Sequence, residues 1–147
     1  MRKMFFVAWI CLLAGCAAPS LKFGVSSTAD INRNEYGEPL AVVVRIYQLK
    51  DRRSFESASF EELWKQDFQV LGNDLVMKEE VTMDPAYQRH IELPRHDQAE
   101  YLAAMAVYRQ PEGESWRDVD KMPGNFITRR FDRKVRITLE KNRLILD

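Results

Sequence analysis

The hydrophobic positions fall into short runs separated by polar, turn-forming residues. In residues 41–50 (AVVVRIYQLK) β-branched and aromatic side chains dominate, and Leu40, Val42, Val44 and Ile46 make one parity wholly apolar, which predicts a core strand. Before it, residues 21–31 scatter apolar side chains among Ser and Thr, as a first strand would, and the turn formers of residues 32–39 (NRNEYGEP) separate the two. Residues 76–83 and 88–93 read as further strands joined across Asp84-Pro85-Ala86. Residues 101–109 are almost continuously apolar, the pattern of a strand covered on both faces. A turn at residues 111–114 returns the chain through residues 115–119. Near the end Val135, Ile137 and Leu139 alternate with polar neighbours, and after Lys141-Asn142 the apolar parity switches to Leu144 and Leu146, which requires a turn or a bulge.

One segment has a helical period. Ser59-Phe60-Glu61-Glu62 is a capping box, with Ala58 and Leu63 spaced for a hydrophobic staple. A short helix should follow, burying Phe60, Leu63, Trp64 and Phe68, and stop at Gly72-Asn73. About seven short strands at hairpin spacing with one inserted helix predict a mainly β fold, a two-sheet β-sandwich.

The first residues are of another kind. Arg2 and Lys3 precede nine apolar residues from Phe5 to Leu13, the n-region and h-region of a signal peptide. A permanent span needs about 20 apolar residues, so this one is too short. Leu13-Ala14-Gly15-Cys16 resembles a lipobox, in which small side chains suit the peptidase groove and the thiol accepts a diacylglycerol thioether. The expected organisation is a leader over residues 1–15, a lipidated tether over 16–21 starting at Cys16, and a sandwich domain over 22–147. The other reading is an ordinary secretory leader cut after Ala14 or Ala18, with Cys16 incidental. If lipidated, Cys16 carries acyl chains that each add about 0.8 kcal/mol per buried CH₂. Ala17 follows it where an inner-membrane retention signal would place aspartate, so the expected location is the periplasmic face of the outer membrane. Six residues from Cys16 to Lys22 span at most ~20 Å, so the domain sits close to its bilayer.

Composition narrows the chemistry. Cys11 leaves with the leader and Cys16 is lipidated, so no disulfide forms within the domain. The whole chain carries 22 basic and 22 acidic residues, and losing Arg2 and Lys3 leaves a small negative balance. That total points to no nucleic acid. His90 and His96 have Pro94 between them and no cluster of further ligands, so no metal site is expected. Neither a nucleophile elbow nor a phosphate-binding glycine pattern occurs, and the paired acids Glu61-Glu62 and Glu79-Glu80 are adjacent, so on a strand they would face apart. The chain is read as no enzyme, with no cofactor beyond the acyl and diacylglycerol lipid on Cys16 and no small-molecule substrate. Arg129, Arg130, Arg133, Lys134 and Arg136, interleaved with Phe126, Ile127 and Phe131, read as the basic outer face of a half-exposed strand, with an acidic lipid or protein surface as a further option.

Together these pieces resemble the TssJ family, the outer-membrane lipoproteins of type VI secretion systems. The resemblance rests on the lipobox, on Val43-Val44-Arg45-Ile46-Tyr47-Gln48-Leu49, and on Phe55, Ala58, Phe60 and Leu63 around the capping box. Leu71-Gly72, Asp74-Leu75-Val76, and Tyr101 with Ala106, Tyr108 and Arg109 before Trp116-Arg117 complete it. Pro85-Ala86 departs from an expected Pro-Gly turn, and Ala103 stands where relatives often have glycine. The resemblance implies a transthyretin-like sandwich with a small helical element, and a partner, the C-terminal periplasmic region of the inner-membrane protein TssM. It also implies that the loop between the first two strands takes part in that grip. Here the loop is residues 32–39, with Arg33, Asn34, Glu35, Tyr36, Gly37 and Glu38 as its contact residues. The rival classes are a periplasmic small-ligand or lipid-binding lipoprotein, which requires an apolar pocket, and a hydrolase, which requires titratable groups clustered in a cleft.

Overall fold

A computed structural model describes residues 19–124 and 133–147. The chain forms β1 (Ser20–Ser27), β2 (Val42–Leu49), α1 (Arg53–Ser57), α2 (Phe60–Leu71), a 3₁₀ turn (Gly72–Asp74), β3 (Leu75–Met83), β4 (Gln88–Pro94), β5 (Tyr101–Ala106), β6 (Arg117–Lys121), β7 (Arg133–Glu140) and β8 (Arg143–Leu146). The strands make two four-stranded sheets in the orders β4-β1-β7-β8 and β3-β2-β5-β6. The fold is the mainly β, transthyretin-like sandwich expected, with eight strands among the described residues. Ser20 and Leu21, read from sequence as the end of the tether, are buried in β1.

Alternation decides what each strand buries. Leu21, Phe23 and Val25 of β1 face Val42, Val44 and Ile46 of β2 across the inter-sheet core, joined by Val135, Ile137 and Leu139 of β7. The second sheet is covered on its other face too, by the helices. Tyr47 and Leu49, with Ala103 and Met105 of β5, are fully buried there beside Phe55 and Leu63, and the rings of Tyr47 and Phe55 lie 5.7 Å apart. This explains why β5 is apolar on both parities, as the run at residues 101–109 predicted, and why Tyr47 and Leu49 of β2 are buried on the face opposite Val44 and Ile46. The chain leaves the strand after Ala106, earlier than that run suggests.

Two pairings differ from hairpin expectation. The turn at Asp84-Pro85-Ala86 carries the chain from β3 in one sheet to β4 in the other, because β4 completes its ladder on β1, from Ser20 opposite Pro94 to Ser26 opposite Gln88. β1 in turn runs parallel to β7, a non-local pairing. Ala86 at that turn has φ +53°, the left-handed conformation that favours the glycine expected there. At the other switch of parity, Lys141 with φ +52° turns β7 directly into β8, Glu140 pairing with Arg143.

The helical element is larger than expected and partly inverted. Its capping box is present: Ser59 Oγ accepts from Glu62 N–H at 3.3 Å and the Glu62 carboxylate accepts from Ser59 N–H at 2.8 Å. Ala58 and Leu63 are both buried at the staple positions. A preceding helix, α1, ends where the Arg117 guanidinium donates to the carbonyls of Phe55, Glu56 and Ala58 at 2.5, 2.6 and 2.7 Å, satisfying acceptors that a helix end leaves without partners. The buried stripe of α2 is Leu63, Asp67 and Leu71. Trp64 and Phe68, expected inside, are 47% and 65% exposed, and Phe60 is half-buried. Gln66 departs from helical geometry (φ −141°, ψ 31°) and breaks the ladder there. Arg45 Nη1 beneath it donates to the carbonyls of Leu63 and Trp64, both at 2.9 Å. Cationic Arg45 and Lys78 on the sheet draw the Asp67 carboxylate inward, and Phe68 is left outside over Lys78, whose Nζ lies 4.8 Å from the ring centre.

Candidate docking loop

Loop 28–41 emerges where β1 ends, at the other end of the strand from Ser20. Its tip is built around Asn34, whose Oδ1 accepts from the N–H groups of Tyr36 at 3.0 Å and Glu38 at 2.9 Å. Its Nδ2 donates to the Glu38 carboxylate at 2.8 Å. Gly37 N–H donates to the Asn34 carbonyl at 3.0 Å, and Gly37 sits at φ +79°, where a side chain would be strained. The Arg33 guanidinium donates to the Gly37 carbonyl at 3.2 Å. Of the six residues singled out from sequence, Asn34 and Gly37 thus build the tip, Glu38 is partly engaged in it, Arg33 braces it while remaining exposed, and Glu35 and Tyr36 point to solvent. Tyr36 is 80% exposed, a rigid aromatic ring held on an ordered turn. Cys16 lies outside the described residues.

Sequence reasoning passed over Asn32 as one turn former among several. It is 4% exposed and has φ +48°. Its N–H donates to the Lys141 carbonyl at 2.9 Å, its Nδ2 to the Ala41 carbonyl at 2.7 Å, and its Oδ1 accepts from Arg109 N–H at 2.8 Å. One side chain therefore ties the root of the loop to the β5–β6 connection, while its own backbone ties it to the β7–β8 turn. The available signal was the residue type, since asparagine tolerates the left-handed region better than other non-glycine residues. Asn32→Ala removes two buried hydrogen bonds and adds left-handed strain, so a loss of about 2–4 kcal/mol is expected. Denaturant unfolding should register that loss, and hydrogen exchange should rise at residues 33–38. Unchanged exchange there would mean that the tip does not depend on this knot.

Tyr108 approaches the same end from β5 and buries its ring, its hydroxyl donating to the Arg143 carbonyl at 2.7 Å. Burial pushes its phenol pKa up, with the Glu140 charge adding to the shift, so it acts as a structural donor. Beside it a groove of about 400 Å³ is lined by Glu35 of the loop, Phe60 and Trp64 of α2, and residues 107–110.

The remaining sequence candidates are dispersed. His90 lies on the exposed face of β4 and His96 on the following loop, where its N–H donates to Gln48 Oε1 at 2.9 Å. Among the described residues no group of His, Cys, Asp and Glu is arranged to hold a metal ion. Lys134 and Arg136 face outward on β7, and Arg133 pairs with Asp120. Arg129, Arg130 and the aromatics around them lie outside the described residues. A depression of about 770 Å³ lies on the outer face of the β1 sheet, lined by Lys22, Gly24, His90, Glu92, Lys134 and Arg136 among others. The space between the sheets is filled by the side chains of the core.

Fold and site together define a β-sandwich that presents an ordered loop at one end. Residues 19–142 match the family described as "Type VI secretion lipoprotein, VasD, EvfM, TssJ, VC_A0113". The chain belongs to that family, the structural, non-enzymatic lipoproteins of type VI secretion. It is similar to the T6SS lipoprotein TssJ1 from Pseudomonas aeruginosa, with 24% identity and a TM-score of 0.77 over 89% of this chain and 96% of that one. A chain of a structure described as the T6SS protein TssM C-terminal domain from EAEC is 28% identical, with a TM-score of 0.71 over 87% of this chain and 97% of that one. A chain of a structure described as a type VI membrane complex is 29% identical, with a TM-score of 0.74 over 89% and 99%. A comparison with curated proteins finds no significant match.

Proposed function

We propose that this lipoprotein anchors the type VI secretion membrane complex to the outer membrane, with lipid on Cys16 in the periplasmic leaflet and loop 33–38 docked on the C-terminal periplasmic region of TssM. In this reading residues 1–15 are a removed leader and Cys16 is the first residue of the mature chain. The observation that carries it is the course of β1. The strand begins at Ser20, four residues after Cys16, and delivers the chain to the loop at its other end. Eight residues of strand rise about 26 Å, so the lipid and the loop occupy opposite ends of one rigid element. A domain tethered at one end faces the periplasm with the other, where a protein reaching up from the inner membrane would meet it. The likeness to chains of structures named for TssM and for the membrane complex supports the same partner.

The chemistry of the tip suits that role. Tyr36 is an exposed aromatic whose backbone is already ordered, so binding it costs little further entropy, and tyrosine and arginine are enriched among interface hot spots. Replacing Tyr36 and Arg33 together by alanine should weaken binding of the TssM periplasmic region by about 2–4 kcal/mol, with an unchanged melting temperature. Calorimetric titration measures this directly, and wild-type affinity in the double variant would remove the loop from the interface. The rival, a carrier of small ligands or lipids in a sandwich cavity, gains no support from an inter-sheet space packed with Phe23, Val44, Ile46 and Ile137.

A further inference from the structure

Tyr36 is not the only aromatic left in solvent near the loop. Trp64 of α2 is 47% exposed although its neighbour Phe60 is packed, ring centre 5.1 Å from that of Trp116 in an edge-to-face contact. Phe60 and Trp64 of α2 line the groove of about 400 Å³ together with Glu35 of the loop and with Arg109 and Gln110. The carboxylate of Glu35 and the guanidinium of Arg109 make no ion pair or side-chain hydrogen bond among the described residues, so an aromatic slot is rimmed by one unpaired charge of each sign. The Arg109 backbone is bound to Asn32 at the root of the loop, which ties the loop to the segment that carries Arg109 and Gln110 into the groove.

We propose that the docking surface has two walls, loop 33–38 and Trp64 of α2, and that the groove between them seats an apolar side chain of the partner protein flanked by a basic group facing Glu35 and an acidic group facing Arg109. The inference rests on the docking function proposed above and extends it from the loop tip to the helix. Tryptophan in a preformed slot bordered by complementary charges is the arrangement that concentrates binding energy in few residues. The rim charges contribute mainly to association rate and salt dependence. Phe68 provides an internal control, because it is also exposed on α2 but lies over Lys78 and not in the groove.

The test is a titration of the full-length chain in detergent with the periplasmic C-terminal region of TssM, alongside thermal melts of each variant. Trp64→Ala should weaken binding by about tenfold or more, Trp64→Phe should restore most of it, and Phe68→Ala should leave it within about twofold. Glu35→Lys with Arg109→Glu should slow association and reverse its salt dependence. If Trp64→Ala binds like wild type while Tyr36→Ala with Arg33→Ala does not, the groove is overturned and the loop reading stands. Should neither variant lose affinity, both fall. Equal losses from Trp64→Ala and Phe68→Ala would overturn the groove in favour of the whole outer face of α2. Trp64→Phe, which keeps a ring, separates a binding effect from any folding defect of the alanine variant.

Discussion

Cys16→Ser should release this protein from the membrane fraction and leave its fold untouched. Among the described residues the first backbone contact is the Pro19 carbonyl accepting from Arg95 N–H at 3.0 Å, three residues after the thiol in sequence. Leu21 of β1 is the first large core side chain among the described residues. The described fold begins at Pro19, so melting temperature and sandwich structure are expected to match wild type. The anchor is another matter. Each buried CH₂ of an acyl chain contributes about 0.8 kcal/mol, so several chains bind effectively without release and their loss abolishes retention. With β1 beginning at Ser20, the linker from lipid to fold is only residues 16–19, and extended it reaches ~14 Å at most. If the lipid is on Cys16, as proposed, the domain stays near the headgroups and the loop at a defined height above the bilayer. Fractionation of envelopes should find the serine variant in the soluble periplasm, with secretion reduced to background. Retention in the membrane fraction, with normal secretion, would show that attachment does not run through Cys16.

Periodicity reads faces well and neighbours poorly. The apolar core parity of β2, the both-sided burial of β5, the capping box at Ser59 and the turn at Lys141 were all legible because each depends on side chains within a few residues of one another. Strand partnership depends on residues far apart in the chain. Nothing local in β3 or β4 says that the turn between them crosses from one sheet to the other, or that β1 lies parallel to β7. The site shows the same division. Tyr36 and its turn were visible as residue types, whereas Asn32 gains its role only from Ala41, Lys141 and Arg109, brought together by the fold. Trp64 was assigned inward on spacing alone, and it is 47% exposed because the buried stripe of α2 runs through Leu63, Asp67 and Leu71.

That same stripe leads to the second large effect, at Asp67. Its carboxylate lies 2.8 Å from Lys78 Nζ and 3.3 Å from Arg45 Nη1, and accepts from the Tyr47 hydroxyl at 3.0 Å. Glu80 closes the set at 2.8 Å from Arg45 Nε and 3.0 Å from Lys78 Nζ. The side chain of Asp67 is only 7% exposed and those of Arg45 and Lys78 14% each, so these charges are mostly removed from water. Removing one member of a buried ion set strands the others, which costs about 3–5 kcal/mol. Glu80, 47% exposed, remains beside both cations, so Asp67→Ala should fall near the lower end, about 3 kcal/mol, or roughly a 10 °C drop in melting temperature. Asp67→Asn keeps an acceptor for Tyr47 and should lose less. Burial alone would push the Asp67 pKa up, but hydrogen bonds from Lys78 and Tyr47 and the charges of Lys78 and Arg45 outweigh it and hold the carboxyl below the ordinary aspartate value. A carboxyl depressed in the folded state contributes stability that is complete above its unfolded pKa, about 4, and disappears as the pH falls through the lower folded value. Wild type should therefore lose stability below about pH 4 more steeply than Asp67→Ala, and the gap between them should narrow with acid. The Glu80 carboxyl, also held low, by the hydrogen bond from Lys78 first, retains part of that slope in the variant. Thermal melts of both proteins across that range decide the matter: parallel curves would mean that the carboxylate does not stabilise the seat of α2, and with it the position of Trp64 beside the loop.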